Sequence, residues 1–220
     1  FVNLNNASGN SAFKNTFSGC SMLQFVPEKL FFGVTAGNSN MFEQTFLDCI
    51  ALTEVPNGMF GNVASGGSSM FKGTFKGCTM LESLPTDLFA SINSTSSSHT
   101  RMFYEIFSGC TSLIAVPSDV FARIPTGAQN MFYRTFYNCT NLKDIGSDGG
   151  GLFRNISNTA STNTYMFYQT FYGCSKLLYV PADTFARIPV GASHMFDSTF
   201  YNCTDLRAIG DGLFRNIQTT

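Results

Sequence analysis

Charged residues are scarce in this chain. Its 220 residues include 13 basic and 14 acidic ones, with a formal net charge of −1, and they are scattered without a basic stripe. Proteins that bind nucleic acids or anionic membranes usually carry clustered Lys and Arg. We therefore expect neither nucleic acid nor a membrane surface among its partners.

Histidine is scarce, and long apolar runs are absent. The two histidines, His99 and His194, lie in no motif with a paired carboxylate, so we predict surface histidines and no enzyme activity. No window reaches the ~18 apolar residues of a transmembrane helix. The first residues lack the basic and apolar regions of a signal peptide, as those of a processed secreted protein would.

Metal-site spacing is absent as well. No two cysteines lie close enough in sequence for a zinc motif such as Cys-x-x-Cys, and the acidic residues lack the spacing of a calcium loop. The prediction is that the chain has no cofactor and no metal site.

A repeated motif accounts for nearly all the large apolar residues. Its skeleton is Met-Phe-x-x-Thr-Phe-x-x-Cys-x-x-Leu, as in 131–142, and 21 of the 24 phenylalanines fall into three columns of the repeat. All seven cysteines occupy one position, with spacings of 29, 29, 32, 29, 35 and 29. Such regularity predicts stacked coils around a continuous core. The cysteines are Cys20, Cys49, Cys78, Cys110, Cys139, Cys174 and Cys203.

Each coil divides into three parts. Phe132, Phe136 and Cys139 follow at i, i+4 and i+7, which indicates a short helix, with Asn40, Ser69 and Asn130 as N-caps of such helices. A brief Leu-x-x-Val strand follows, and a second helix opens at a proline such as Pro117. The fold class is therefore α/β, a solenoid of seven coils of about 29–35 residues with a parallel sheet on one face and short helices on the other. A solenoid of paired helices is the alternative.

The coils form a single predicted domain over residues 1–220. At an offset of 64, residues 101–145 match residues 165–209 at 27 of 45 positions, so two coils are duplicated. Because the chain begins and ends inside the pattern, a fragment of a longer protein is the alternative to a complete domain.

The segment Phe-x-x-Cys-x-x-Leu-x-x-Val-Pro resembles leucine-rich repeats of the BspA-like type, which occur in bacterial surface proteins, notably of Bacteroides-related species. It is found in 17–27, 46–56 and 107–117. The resemblance implies a right-handed solenoid and an extracellular or outer cell-surface location. It also implies adhesion to a host or matrix protein or glycan, with no catalytic residues.

Cysteines at one repeated position predict a ladder of buried thiols that pack like small apolar residues. Disulfides between neighbouring coils are the alternative.

All eight tyrosines lie after residue 103, and six of them occupy two repeat positions directly after a phenylalanine. A spacing of i, i+4 would place both tyrosines of a coil on one helix flank, away from the core. Tyrosine offers a flat surface and a polar tip, which suits protein or glycan contacts. The candidate ligand-binding residues are Tyr104, Tyr133, Tyr137, Tyr168, Tyr172 and Tyr201. The alternative is that these rings only pack between neighbouring coils.

The functional prediction is therefore a non-catalytic surface module for binding or adhesion. A structural spacer that presents another domain is the alternative.

Overall fold

The computed structural model describes residues 9–218, which form a repeat solenoid. Successive copies of the motif stack so that each phenylalanine lies on its equivalent in the next coil. The centroid of the Phe42 ring, for example, lies 5.3 Å from those of Phe13 and Phe71, with interplanar angles of 10° and 8°. Phe60, from another of the three phenylalanine columns, lies 4.8 Å from Phe42 with an interplanar angle of 58°, so parallel and tilted rings interlock in a buried core.

Short parallel strands hold one side of the coils together. Strands β1 (Ala115–Val116) and β2 (Asp144–Ile145) pair in parallel, as do β3 (Tyr179–Val180) and β4 (Ala208–Ile209). A parallel bridge joins Glu54 and Ser83 at the same place in earlier coils. The parallel pairing predicted at Leu-x-x-Val is therefore present, in strands of two residues each.

The prediction of short helices on the other face is wrong, because no helix occurs between residues 9 and 218. The Met-Phe-x-x-Thr-Phe-x-x-Cys segment is a series of turns instead. Within one coil, the Thr45 N–H donates to the Phe42 carbonyl at 3.3 Å. The alternate N–H groups cross to the next coil, where Phe42 donates to Met70 and Phe46 to Thr74, each at 2.8 Å. Backbone groups that a helix would pair internally are thus shared between neighbours.

A left-handed residue at every fourth position causes this path. The residue before every cysteine is Gly, Asn or Asp, and each has a φ between 56° and 76°. These types enter the left-handed region at least cost. Asn40, Ser69 and Asn130 have φ values of 56°, 53° and 56°, so they are turn residues and not the predicted N-caps. The residues before cysteine are Gly19, Asp48, Gly77, Gly109, Asn138, Gly173 and Asn202.

The proline-led segments are turns as well. In coil four the Val120 N–H donates to the Pro117 carbonyl at 3.2 Å, and Ile124 donates to Phe121 at 3.1 Å. A second set of parallel bridges follows, such as Thr126 with Asn158. Since the described part of the chain is free of helices, it holds none of a length and apolarity that would cross a membrane.

Threonine and cysteine side chains tie the coils together inside the core. The Thr74 Oγ1 donates to the Phe42 carbonyl of the preceding coil at 2.8 Å, and the Cys78 Sγ donates to the Phe46 carbonyl at 3.2 Å. The same bonds recur along the stack, as for Thr170 with Phe132 and Cys174 with Phe136. All seven cysteines are free thiols. These carbonyls explain why the repeat carries Thr and Cys at otherwise apolar positions.

Candidate functional site

The six candidate tyrosines form two stacked columns across the turn segments. Tyr104, Tyr133 and Tyr168 make the first column, with ring centroids 4.6 Å and 4.8 Å apart. Tyr137, Tyr172 and Tyr201 make the second, with two separations of 5.0 Å. We call the two columns together the tyrosine band. The predicted helix flank is wrong, but the turns still place the tyrosines of coil five on the same side.

Arg134 shows that the two columns are neighbours. Its guanidinium carbon lies 5.2 Å from the Tyr133 ring centroid and 4.9 Å from that of Tyr137. A cation over an aromatic ring is attracted by the negative face of the ring. The guanidinium therefore bridges the columns in the middle of the band.

A chain of polar contacts runs through Arg134 along the stack. Its Nε donates to Gln169 Oε1 at 2.7 Å, and the Gln169 amide donates to the Tyr168 hydroxyl at 3.3 Å. On the other side, Glu105 lies 3.9 Å from Arg134 and 2.7 Å from the Lys76 ammonium. Sequence reasoning missed these polar residues, although each of Glu105, Arg134 and Gln169 directly follows a tyrosine of the first column.

Stacking decides which part of each tyrosine a partner can reach. The rings are half-buried in coils four to six, and their faces cover one another, whereas Tyr201 in the last coil is 55% exposed. Across residues 9–218 no buried side-chain oxygen lacks a hydrogen-bond partner, so the phenol oxygens without one reach solvent. The band therefore presents ring edges and hydroxyls. The flat faces that the sequence suggested as contact surface are largely occupied.

Burial perturbs the phenols at the start of the band. Burial removes the hydration that stabilises the phenolate, and this is the main reason why the pKa of Tyr104 is raised to about 12. Glu105 and Tyr133 also raise this pKa. Burial likewise raises the pKa of Tyr133, although Arg134 opposes the shift. The hydroxyls of both residues are therefore neutral hydrogen-bond donors at physiological pH.

Charged residues replace the tyrosines of the first column in the first three coils. At the first position Glu43 is buried between Lys14 and Lys72, at 2.9 Å and 3.2 Å. Burial raises the pKa of Glu43, but hydrogen bonds from the two lysines outweigh it and hold that pKa below its usual value. The same face thus changes from an ion-pair ladder into the tyrosine band at Tyr104, whose ring lies 5.9 Å from the Lys72 ammonium.

His194 forms no catalytic triad with the serine nearest to its carboxylate partner. His194 lies 3.3 Å from the Asp197 carboxylate, a pairing that its sequence motif did not indicate, and it stacks on Tyr165 at 4.8 Å. Ser198 donates to the other oxygen of Asp197, so the carboxylate lies between the hydroxyl and the imidazole. A nucleophilic serine needs the imidazole next to it, which this order does not provide. Within residues 9–218, no group of three potential metal ligands occurs either.

Neither a protein-family model nor a curated protein matches the chain. Among solved structures, a T. pallidum leucine-rich-repeat protein matches with a TM-score of 0.43 and 17% identity, over 84% of this chain and 67% of that protein. A leucine-rich repeat protein from Bacteroides ovatus matches with a TM-score of 0.33 and 16% identity, over 90% of this chain. This chain spans 57% of that protein's length.

A third match is a leucine-rich cell surface protein from Faecalibacterium prausnitzii. Its TM-score is 0.27 and its identity 17%, over 94% of this chain and 72% of that protein. These three solved structures are leucine-rich-repeat proteins, the class that this chain's own Phe-x-x-Cys-x-x-Leu-x-x-Val-Pro motif resembles.

Proposed function

We propose that the chain is a non-catalytic binding module of the cell surface or the extracellular space. It recognises a protein or glycan ligand through the tyrosine band. The observation that carries the proposal is the pair of stacked tyrosine columns with Arg134 between them.

The chemistry of the band suits recognition better than catalysis. Tyrosine hydroxyls and the side chains of Arg134 and Gln169 supply hydrogen-bond donors and acceptors at fixed positions. Because stacking already restricts the rings, little side-chain entropy is lost when a ligand binds. Repeated hydroxyls along the stack suit a ligand that is itself extended, such as a glycan chain or a strand of a matrix protein.

The test compares two sets of substitutions at Tyr133, Tyr137, Tyr168 and Tyr172. Replacement of all four by Phe keeps the stacked rings and removes only the hydroxyls. Replacement by Ser also removes the stacking, which is worth roughly 0.5–1.5 kcal/mol per pair. Binding is measured on a glycan array and on a panel of immobilised matrix proteins, with chemical unfolding measured in parallel. We expect the Phe variant to keep its stability and to lose about tenfold or more in affinity.

Tyr179→Ser is the matched control, because Tyr179 is 41% exposed and lies on β3, outside the band. This change should leave binding intact. If the Phe and Ser variants bind a captured ligand as well as the wild-type chain does, the band is not the site. If the wild-type chain captures no ligand, the result favours the alternative of a structural spacer.

A further inference from the structure

The side of the solenoid formed by the proline-led segments and their equivalents in other coils, called here the proline-led side, contains the same ion-pair arrangement twice. In the first unit Arg154 pairs with Asp119, and the Asn155 amide donates to the Ala122 carbonyl at 2.7 Å. In the second unit Arg215 pairs with Asp183 at 2.9 Å, and Asn216 donates to the Ala186 carbonyl at 2.5 Å. The duplication of two coils has therefore preserved the contacts of this side as well as those of the core.

Each unit leaves one arginine without a partner. Arg123 follows Ala122 and Arg187 follows Ala186, and both side chains are exposed. The ion pairs formed among residues 9–218 include neither guanidinium. An arginine held beside a fixed ion pair can bind an anion without breaking an existing contact.

Both arginines line cavities. Arg187 contributes to a cavity of about 280 Å³ together with Arg154, Asp183 and Arg215. Arg123 contributes to a cavity of about 310 Å³ that also contains Asp87 and Asp119. Arg154 and Arg215 are compensated by their carboxylates, so Arg187 supplies the free positive charge of its cavity. Each cavity offers room for a sugar residue.

The mixture of charges identifies the class of ligand. The guanidinium of Arg187 suits a carboxylate, because its planar fork can donate two parallel hydrogen bonds. The second oxygen of Asp183, which is not bound to Arg215, is an acceptor suited to a hydroxyl group. The neighbouring side chains of an acidic peptide would bring further carboxylates towards Asp183, whereas an acidic sugar carries hydroxyl donors beside its carboxylate.

The spacing of the two arginines indicates that the ligand is a polymer. Arg123 and Arg187 are two coils apart, and neighbouring coils joined by parallel bridges lie about 4.8 Å apart, which gives a separation of about 10 Å. A polysaccharide with an acidic residue at every second sugar has its carboxylates spaced at about this distance. We propose that the proline-led side binds such an acidic polysaccharide, with one carboxylate on Arg187 and a neighbouring one on Arg123.

The test measures binding of a hyaluronan octasaccharide to the whole chain by calorimetry at low ionic strength. The double variant Arg123→Gln, Arg187→Gln should bind at least about tenfold more weakly, because it loses both charge-assisted contacts. Arg187→Gln alone should cost more than Arg123→Gln, since Asp87, which takes part in none of the ion pairs among residues 9–218, opposes an anion beside Arg123. Both side chains are exposed, so thermal unfolding should be unchanged.

The matched control is Arg101→Gln, Arg207→Gln, which removes the same charge from exposed arginines outside these cavities. Binding by this control should stay within about twofold of the wild type. An equal loss in both double variants would overturn the proposal, and so would wild-type binding of the carboxyl-reduced octasaccharide at full strength. Tighter binding of a poly-glutamate peptide than of the octasaccharide would overturn it in favour of an acidic protein ligand. Absence of wild-type binding would overturn it outright.

Discussion

At the scale of single residues, the core is built from side chains that satisfy the backbone of the preceding coil. Cys139 is a clear case, because its thiol is buried and donates to the Phe107 carbonyl at 3.1 Å. Burial raises the pKa of the Cys139 thiol to about 12, although backbone hydrogen bonds oppose the shift. A thiol with a raised pKa stays protonated at neutral and mildly alkaline pH, and only the thiolate is a good nucleophile.

Alkylation should therefore separate the cysteines by position. Cys20 is exposed, whereas Cys49, Cys78, Cys110, Cys139 and Cys174 are buried. We expect iodoacetamide at pH 8 to modify Cys20 rapidly in the native chain, and to modify the buried thiols only after denaturation, when mass spectrometry should show seven adducts.

The Cys20→Ser variant is the control for this labelling, since it should remove the rapid native adduct. Fewer adducts in denaturant without a reducing agent would show that disulfides join some coils. Rapid native labelling of Cys139 would show that the thiol ladder is open to solvent.

At the scale of elements, the turn segments contain the main difference between sequence and structure. A helix and a series of turns with a left-handed residue at every fourth position both place Phe132 and Phe136 on the same side. Substitution at such a left-handed position distinguishes the two, because glycine is favoured there and disfavoured inside a helix.

Gln44 and Gly73 occupy the same position in neighbouring coils, with φ values of 54° and 59°. We expect Gln44→Gly to stabilise the chain by about 0.5–1 kcal/mol, and Gly73→Ala to destabilise it by at least a similar amount, as measured by urea unfolding. In a helix both changes would have the opposite sign. The nearest atom to a Cβ at Gly73 is 3.4 Å away, so steric overlap does not account for the expected loss.

The sequence did contain a signal for these turns. Gly, Asn and Asp are the only residue types before the seven cysteines, and Gly77 and Asn138 show that these types mark the left-handed region. Apolar spacing alone could not reveal it, because every fourth position is close to the helical period. The phenylalanine columns and the parallel pairing were predictable, since burial and stacking depend on the repeat and not on the local path.

The candidate site was predictable only in part, for a related reason. The two tyrosine columns follow from counting repeat positions, but whether their ring faces are open or covered depends on the distance between coils, which no single motif contains. The same holds for Arg134, whose role appears only when Tyr133 and Tyr137 lie on either side of it. The polar side-chain contacts around Arg134 were therefore the part that the sequence could not provide.

At the scale of the whole molecule, coils contact mainly their neighbours, so stability should be nearly additive along the stack. The duplication makes this testable. The Thr95 hydroxyl donates to the Thr126 carbonyl at 3.0 Å, and the hydroxyl of the equivalent Thr159 donates to the Val190 carbonyl at 2.9 Å. In the backbone, the Phe71 N–H donates to the Met102 carbonyl. Met166 occupies the same repeat position as Met102, so its carbonyl can accept the same bond. A junction between Thr100 and Tyr165 would thus join surfaces that already match.

Removal of residues 101–164 should therefore leave a folded, shorter solenoid. We expect one cooperative urea transition with an m-value of about two thirds to three quarters of the wild-type value, because m scales with the surface exposed on unfolding. Removal of residues 101–115 alone is the control, since it shifts the phenylalanine columns out of register and should broaden or abolish the transition. If the larger deletion were the one that failed to fold, the two coils would not be interchangeable. The stack would then depend on contacts specific to coils four and five, against the additive behaviour that nearest-neighbour packing implies.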